Sequence, residues 1–171
     1  VFDATKNKNF KYGEAKRWIL ETDNGELVGR IAAFTNTKYI NKGTDFKTGG
    51  VGFFDCINDQ AAANLLFDTA KSWLSEKGME AMDGPVNFGD RDKWWGLMVE
   101  GYDREPMYGM SFNPSYYETL FANYGFENFY NQYYYHKPLS ADLPDRFKER
   151  YEKFKLKEEY SVQHLDKKRL D

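Results

Sequence analysis

Gly50-Val51-Gly52-Phe53-Phe54-Asp55-Cys56-Ile57, and the Asn58-Asp59-Gln60-Ala61-Ala62-Ala63 that follows it, decide how this chain folds. The first eight residues read as a buried strand. From about Asp59 to Lys77 the spacing predicts a helix, because Ala62, Leu65, Leu66, Thr69, Ala70, Trp73 and Leu74 recur three and four residues apart. Asn58 suits its N-cap, Asp59 falls in the first turn, and Gly78 suits the left-handed position past its end. A second strand, Glu80 to Asp83, then runs into Gly84-Pro85-Val86-Asn87. Strand, long helix and strand predict a right-handed crossover between parallel neighbours. A ligand of such a unit sits off the first strand's C-terminal end, against the helix N-terminus; here that is Asp55 to Ala62.

Working outward, Ala15 to Glu21 and Leu27 to Phe34 flank Asp23-Asn24-Gly25, a tight-turn signal, and predict a hairpin. Gly29 inside the second arm predicts a bulge or a close backbone approach. Residues 1–14 read as a polar lead-in, 35–49 as a polar loop, and 89–93 as a charged loop tip. Trp94 to Val99 read as partly extended, which would point Trp94 and Trp95 to opposite sides. Asn113-Pro114-Ser115 opens a short helix from Tyr116 to about Asn123, Gly125 ends it, and Phe126 to His136 read as a final strand. A charged helix carrying Phe147, Tyr151 and Phe154 follows, and Tyr160 to Leu165 read as the start of another strand.

A chain of 171 residues buries one good core. Its net charge of -3 argues against a general grip on nucleic acid, and no apolar run approaches the roughly 20 residues that cross a bilayer. A single cysteine points to a reducing, cytoplasmic setting. A chain that begins at Val1 reads as a fragment. Aromatic residues make up 18%, so dense between Trp94 and Tyr135 that some should line a cleft as well as the core.

Hairpin, strand, long helix, strand, and short helix ending in Gly-Phe form an order that resembles the GNAT-type acyl-CoA N-acyltransferase superfamily. Four stretches are similar to an uncharacterised bacterial GNAT-like family: Val28-Gly29-Arg30-Ile31-Ala32-Ala33, Gly52-Phe53-Phe54-Asp55-Cys56-Ile57, Gly84-Pro85-Val86-Asn87, and Asn113-Pro114-Ser115-Tyr116-Tyr117 through Gly125-Phe126. They match in order over about residues 15–137. The resemblance implies an α+β, GNAT-like fold: a mixed, mostly antiparallel sheet with a central crossover helix, and acyl-CoA in a splay of the sheet. It also implies that this is the N-terminal half of a longer protein, with a downstream module of the same chain as partner. The expected organisation is a lead-in (1–14), a GNAT-like domain (15–138), a linker helix (139–158) and the start of a downstream module or tail (159–171).

Two features of the superfamily's chemistry are missing. Its glycine-rich loop cradles the CoA pyrophosphate with backbone N–H groups, whereas residues 56–63 contain no glycine and Asp59 brings negative charge to the helix start. The usual general-acid tyrosine, four residues before Gly-Phe, is Phe121. Acyl-CoA binding is therefore expected to be weak or absent in this half. The candidate catalytic residues are Tyr117 and Asp55. Cofactor contacts fall on Cys56, Ile57, Asn58, Gln60, Ala61 and Ala62, and a substrate pocket on Asn87, Trp95, Asn113 and Tyr116. Each has a plainer reading: core or rim tyrosines, Asp in turns, Asn87 in an Asx turn, and Cys56 as a buried structural thiol. His136 and His164 are too few and too far apart for a metal site. The expected function is acyl-CoA-dependent N-acyl transfer to a small-molecule amine. The alternatives are a non-catalytic half that supports a second module or binds a ligand in an aromatic cleft, and a transferase using aminoacyl-tRNA, which the negative charge disfavours.

Overall fold

A computed structural model describes residues 1–39, 45–89, 93–140, 142–161 and 164. The chain divides into two units, Val1–Asn128 and Phe129–Asp171.

In the first unit, β1 (Ala15–Glu21) and β2 (Leu27–Phe34) form the hairpin, turned through Gly25 at φ +80°. β3 (Thr48–Cys56) lies antiparallel to β2. The crossover helix α1 (Gln60–Glu76) then returns the chain to β4 (Ala81–Asp83), parallel to β3. The sheet order is β1-β2-β3-β4. This is an α+β fold, with the strand order and crossover that the GNAT resemblance implies. Gly29 fulfils both expectations for it. The β1·β2 register slips beside it, and an added Cβ would stand 3.0 Å from the Asp55 carbonyl oxygen.

β3 carries a bulge that its sequence did not announce. Its register with β2 steps from Ala32↔Gly52 to Arg30↔Asp55, three residues of β3 against two of β2, and Phe53 lies at φ +52°. An extra residue reverses which face the following side chains take. Val51, Phe54 and Cys56 accordingly share the face beneath α1, Phe53 joins the opposite face, and Asp55 turns out to solvent. Regular alternation would have placed Asp55 with Val51, against the helix.

Two apolar clusters cover the two faces. Under α1 lie Ile31, Ala33, Val51, Phe54, Leu66, Phe67 and Leu74, joined by Tyr117, Leu120 and Phe121 of α2 (Tyr116–Tyr124). The helix face differs from the expected one: Ala63 and Phe67 are buried while Leu65 is exposed. The Phe67 ring decides this, because it meets Phe54, Phe121, Tyr124 and Phe126 at centroid distances of 4.8–5.3 Å. The N-cap is Asp59 rather than Asn58, its carboxylate accepting from the Ala62 N–H. The second cluster is Phe34, Val86 and Phe88, with Phe2, Phe10, Phe53 and Trp95 against it. The lead-in thus supplies two core rings and a short 3-10 turn, Lys8–Lys11.

α2 ends at Gly125 in the left-handed conformation, as its sequence predicts. The strand expected over 126–136 does not form; those residues have no regular structure. β4 is only three residues long and offers little ladder for a further strand to bond. Nor is Trp94 extended: its φ is +48°, although it is exposed while Trp95 packs inward, the division expected of the pair. In the second unit, α3 (Asp145–Lys155) buries no side chain, and Phe147, Tyr151 and Phe154 are exposed. The centre of the expected loop (40–44), most of the charged loop tip (90–92) and half of the expected strand 160–165 lie outside the described residues.

Candidate active site

β3 pairs with β2 from Gly50 to Cys56, but with β4 only from Thr48 to Gly50. The last tie on the β4 side is the Val86 N–H to the Val51 carbonyl, at 2.8 Å. Beyond it no described backbone hydrogen bond joins β3 to the segment after β4. α2 lies against the end of β3, and the bulge aims the backbone of Cys56 at that helix. The Cys56 N–H donates to the Tyr117 hydroxyl oxygen at 3.0 Å, and the Tyr116 hydroxyl donates to the Cys56 carbonyl at 2.8 Å. Ile57, next along, bonds the other way, to Val28 of β2.

Around this junction lies a pocket of about 340 Å³. Asp55, Cys56, Ile57, Tyr116 and Tyr117 line it from one side, and Ile19, Leu27, Val28, Gly29 and Arg30 from the hairpin. Arg30 grips the Asp55 carboxylate at 2.5 Å. Burial pushes the Tyr117 hydroxyl up to about 12, against a smaller downward pull from the Cys56 N–H. Burial, then the neighbouring Cys56 and Asp55, raise Tyr116 as well. The Cys56 thiol is raised by burial and by the charge of Asp59, so it stays protonated near neutral pH and behaves as a buried structural cysteine.

The pocket thus unites five of the residues singled out from the sequence. The helix start is occupied otherwise. Asp59 caps α1, and Gln60 ties it to α2 by donating to the Leu120 carbonyl and accepting from Asn123. Asn58 and Ala61 are exposed and Ala62 is half-buried. Asn87 lines a different pocket and Trp95 packs in the second cluster. The Asn113 side chain clasps the backbone of Met98, accepting from its N–H at 2.8 Å and donating to its carbonyl at 3.2 Å. Phe121, at the usual general-acid position, is 3% exposed in the core. Sequence reasoning did not assign Arg30 to the site. Its neighbour Gly29, read as a close approach, was the available signal.

Among the described residues no group of three or more His, Cys, Asp or Glu is placed to hold a metal ion, and no helix is long and apolar enough to cross a membrane. No family model matches the chain. It is similar to two bacterial proteins. Over 124 residues, 72% of the chain, it is 31% identical to Protein YghO of Escherichia coli (strain K12), of which the match covers 31%. Over 139 residues, 81% of the chain, it is 28% identical to Bacterial ceramide synthase of Caulobacter vibrioides (strain NA1000 / CB15N), covering 36% of that protein. The chain therefore spans about a third of the length of either relative. Similar solved structures include the aminoglycoside N-acetyltransferase AAC(6')-Iy with a bisubstrate analogue, at 15% identity and a TM-score of 0.46 over 72% of this chain and 69% of that one. The same enzyme with CoA aligns at 15% identity and 0.45, over 71% and 75%.

Proposed function

We propose that this chain is the GNAT-like part of an N-acyltransferase that moves an acyl group from a thioester, such as acyl-CoA, to a long-chain amine. The observation that carries the reading is the C-terminal end of β3, past its pairing with β4, where Asp55 and Tyr117 line one pocket. The attacking amine forms the C–N bond as the C–S bond breaks. Asp55 takes the ammonium proton, directly or through water, and Arg30 holds its carboxylate in place. Tyr117 keeps its proton at neutral pH and offers it as a hydrogen bond to the departing thiolate, its oxygen being anchored by the Cys56 N–H. Ile19, Leu27 and Ile57 line the same pocket yet remain about half exposed or more, which suits an acceptor with an alkyl chain. One relative is named a ceramide synthase, and a ceramide is the amide of a fatty acyl group and a long-chain amine.

A second reading, a non-catalytic half, is favoured by the contacts that already fill the donor site: Asp59 on the Ala62 N–H, and the two tyrosine hydroxyls on Cys56. The deciding assay follows thiol release from acyl-CoA and from acyl-N-acetylcysteamine, with and without a long-chain amine. Amine-dependent release that falls at least about tenfold in Asp55→Asn supports transfer. The Arg30–Asp55 pair is about 60% exposed on both sides, so that variant should cost only about 0–1 kcal/mol of stability. No release, from a chain that still binds neither thioester, establishes the non-catalytic half.

A further inference from the structure

In the second unit, α3 buries none of its side chains, and Phe147, Tyr151 and Phe154 all stand open to solvent. In a chain of net charge -3, this helix carries five cations, Arg146, Lys148, Arg150, Lys153 and Lys155, against three carboxylates, Asp145, Glu149 and Glu152. Their order around the helix axis is sorted. At about 100° per residue, the three rings fall within an arc of about 60°. Arg146 and Arg150 flank that arc on one side and Lys148 and Lys155 on the other, each about 70–110° from its centre. The carboxylates lie about 130–170° away, on the far face, with Lys153 at that boundary. Two of the flanking cations lean over the rings. The Arg146 guanidinium stands 5.0 Å from the Phe147 centroid, and the Lys155 ammonium 5.7 Å from that of Tyr151. Lys148 lies 3.8 Å from Asp145, a pair so exposed that it holds the lysine only weakly. Asp142 precedes the helix, and Glu158 and Glu159 follow it, Glu159 beside Lys157 at 3.5 Å.

We infer that α3 lies along the surface of an anionic lipid bilayer, its three rings among the outer acyl segments and its flanking cations among the headgroups. An apolar stripe with basic shoulders and a polar back is the pattern of a helix lying in a membrane interface. Long cationic stems run along apolar surface while their charged ends stay in the headgroup layer. The stripe holds rings, with no Leu, Ile or Val in the helix, and tyrosine is among the side chains that favour that layer. A flat anionic surface accounts together for cations on both shoulders and carboxylates confined to the far face. Eleven residues span only about 16 Å, so the helix lies on the bilayer and does not cross it. Membrane attachment goes beyond acyl transfer and does not rest on it.

Flotation of the whole chain with unilamellar vesicles tests this, using phosphatidylcholine alone and phosphatidylcholine with about 30% phosphatidylglycerol. The chain should float with the anionic vesicles, leave them as salt rises to about 0.5 M, and stay largely unbound to the neutral ones. Phe147→Ala with Phe154→Ala removes two rings, keeps a strong helix former at each position, and should weaken binding roughly tenfold or more. Glu152→Lys with Lys155→Glu keeps the net charge but moves a cation off the shoulder, and should weaken binding roughly fivefold or more. Both paired variants should keep the parent melting temperature, because α3 buries no side chain. Equal binding to neutral vesicles, or none to anionic ones, overturns the inference. So does anionic binding indifferent to the rings or to the charge exchange, which reduces it to loose attraction by surface cations. A ring-dependent dimer in light scattering, without vesicle binding, assigns the stripe to a second copy of the chain and overturns it as well.

Discussion

The Tyr117 oxygen accepts from the Cys56 amide while its own proton is still available to donate. That arrangement has a stability signature. Burial lifts the hydroxyl from 10 to about 12, so the folded protein keeps a proton that the unfolded chain releases first. The contribution is complete below pH 10 and is lost as pH climbs from 10 through about 12, amounting to about 3 kcal/mol. In Tyr117→Phe the Cys56 N–H loses its partner. Urea midpoints should report a loss of roughly 1–3 kcal/mol at neutral pH and a shallower fall across the alkaline window. The fall should not vanish, because Tyr124, half-buried and bonded to Asp68, is raised too. An alkaline limb unchanged in the variant would refute the assignment. That Tyr116 and Tyr117 meet the end of β3 was legible in the sequence as a candidate site. That they do so through the Cys56 backbone was not, because this depends on a bulge at Phe53, and a phenylalanine gives no local signal for positive φ.

At the level of the element, α1 begins with its own anion. Asp59 is the N-cap, and its carboxylate takes the Ala62 N–H at 2.8 Å, an N–H that a bound phosphate would need. Asp59→Ala should cost about 1 kcal/mol and Asp59→Gly only a few tenths. Acetyl-CoA added to millimolar levels should move the melting curve of the parent chain weakly at most and should raise that of Asp59→Gly further. A ligand at 100 times its Kd stabilises by about 2.7 kcal/mol, which melting resolves with ease. A clear shift in the parent would instead show a donor site already competent for CoA. The helix itself, the hairpin and the crossover were readable because turn residues and three-to-four spacing are local. The face that α1 buries was not: Phe67 outranks Leu65 only because Phe54, Phe121 and Tyr124 surround it, and those partners come from distant segments.

For the whole molecule, the fully buried apolar side chains among the described residues lie between Ile31 and Phe121, with Phe2 and Phe10 partly buried against them. A chain ending at Asn128 keeps both apolar clusters, both pockets and all four strands. It should unfold in one cooperative transition, with a midpoint within a few degrees of the longer chain. A broad or absent transition would show that residues beyond Asn128 complete the fold. Why the sheet is covered on both faces was hidden in the sequence, since residues 1–14 look polar and aperiodic while Phe2 and Phe10 rest on Phe88.

Covering both faces also sets the order in which the backbone opens to water. Ala32, Ala33 and Phe34 pair with Gly52, Val51 and Gly50 between two apolar layers, so exposing their amides requires dismantling both at once. In deuterium exchange these amides should be the slowest in the protein, exchanging only through global unfolding. The Cys56 amide, held by one phenol beyond the last pairing of β3 with β4, should exchange through a smaller, local fluctuation. The sheet then works as a clamped hinge: one end stays shut for as long as the protein is folded, while the end that meets Tyr116 and Tyr117 breathes.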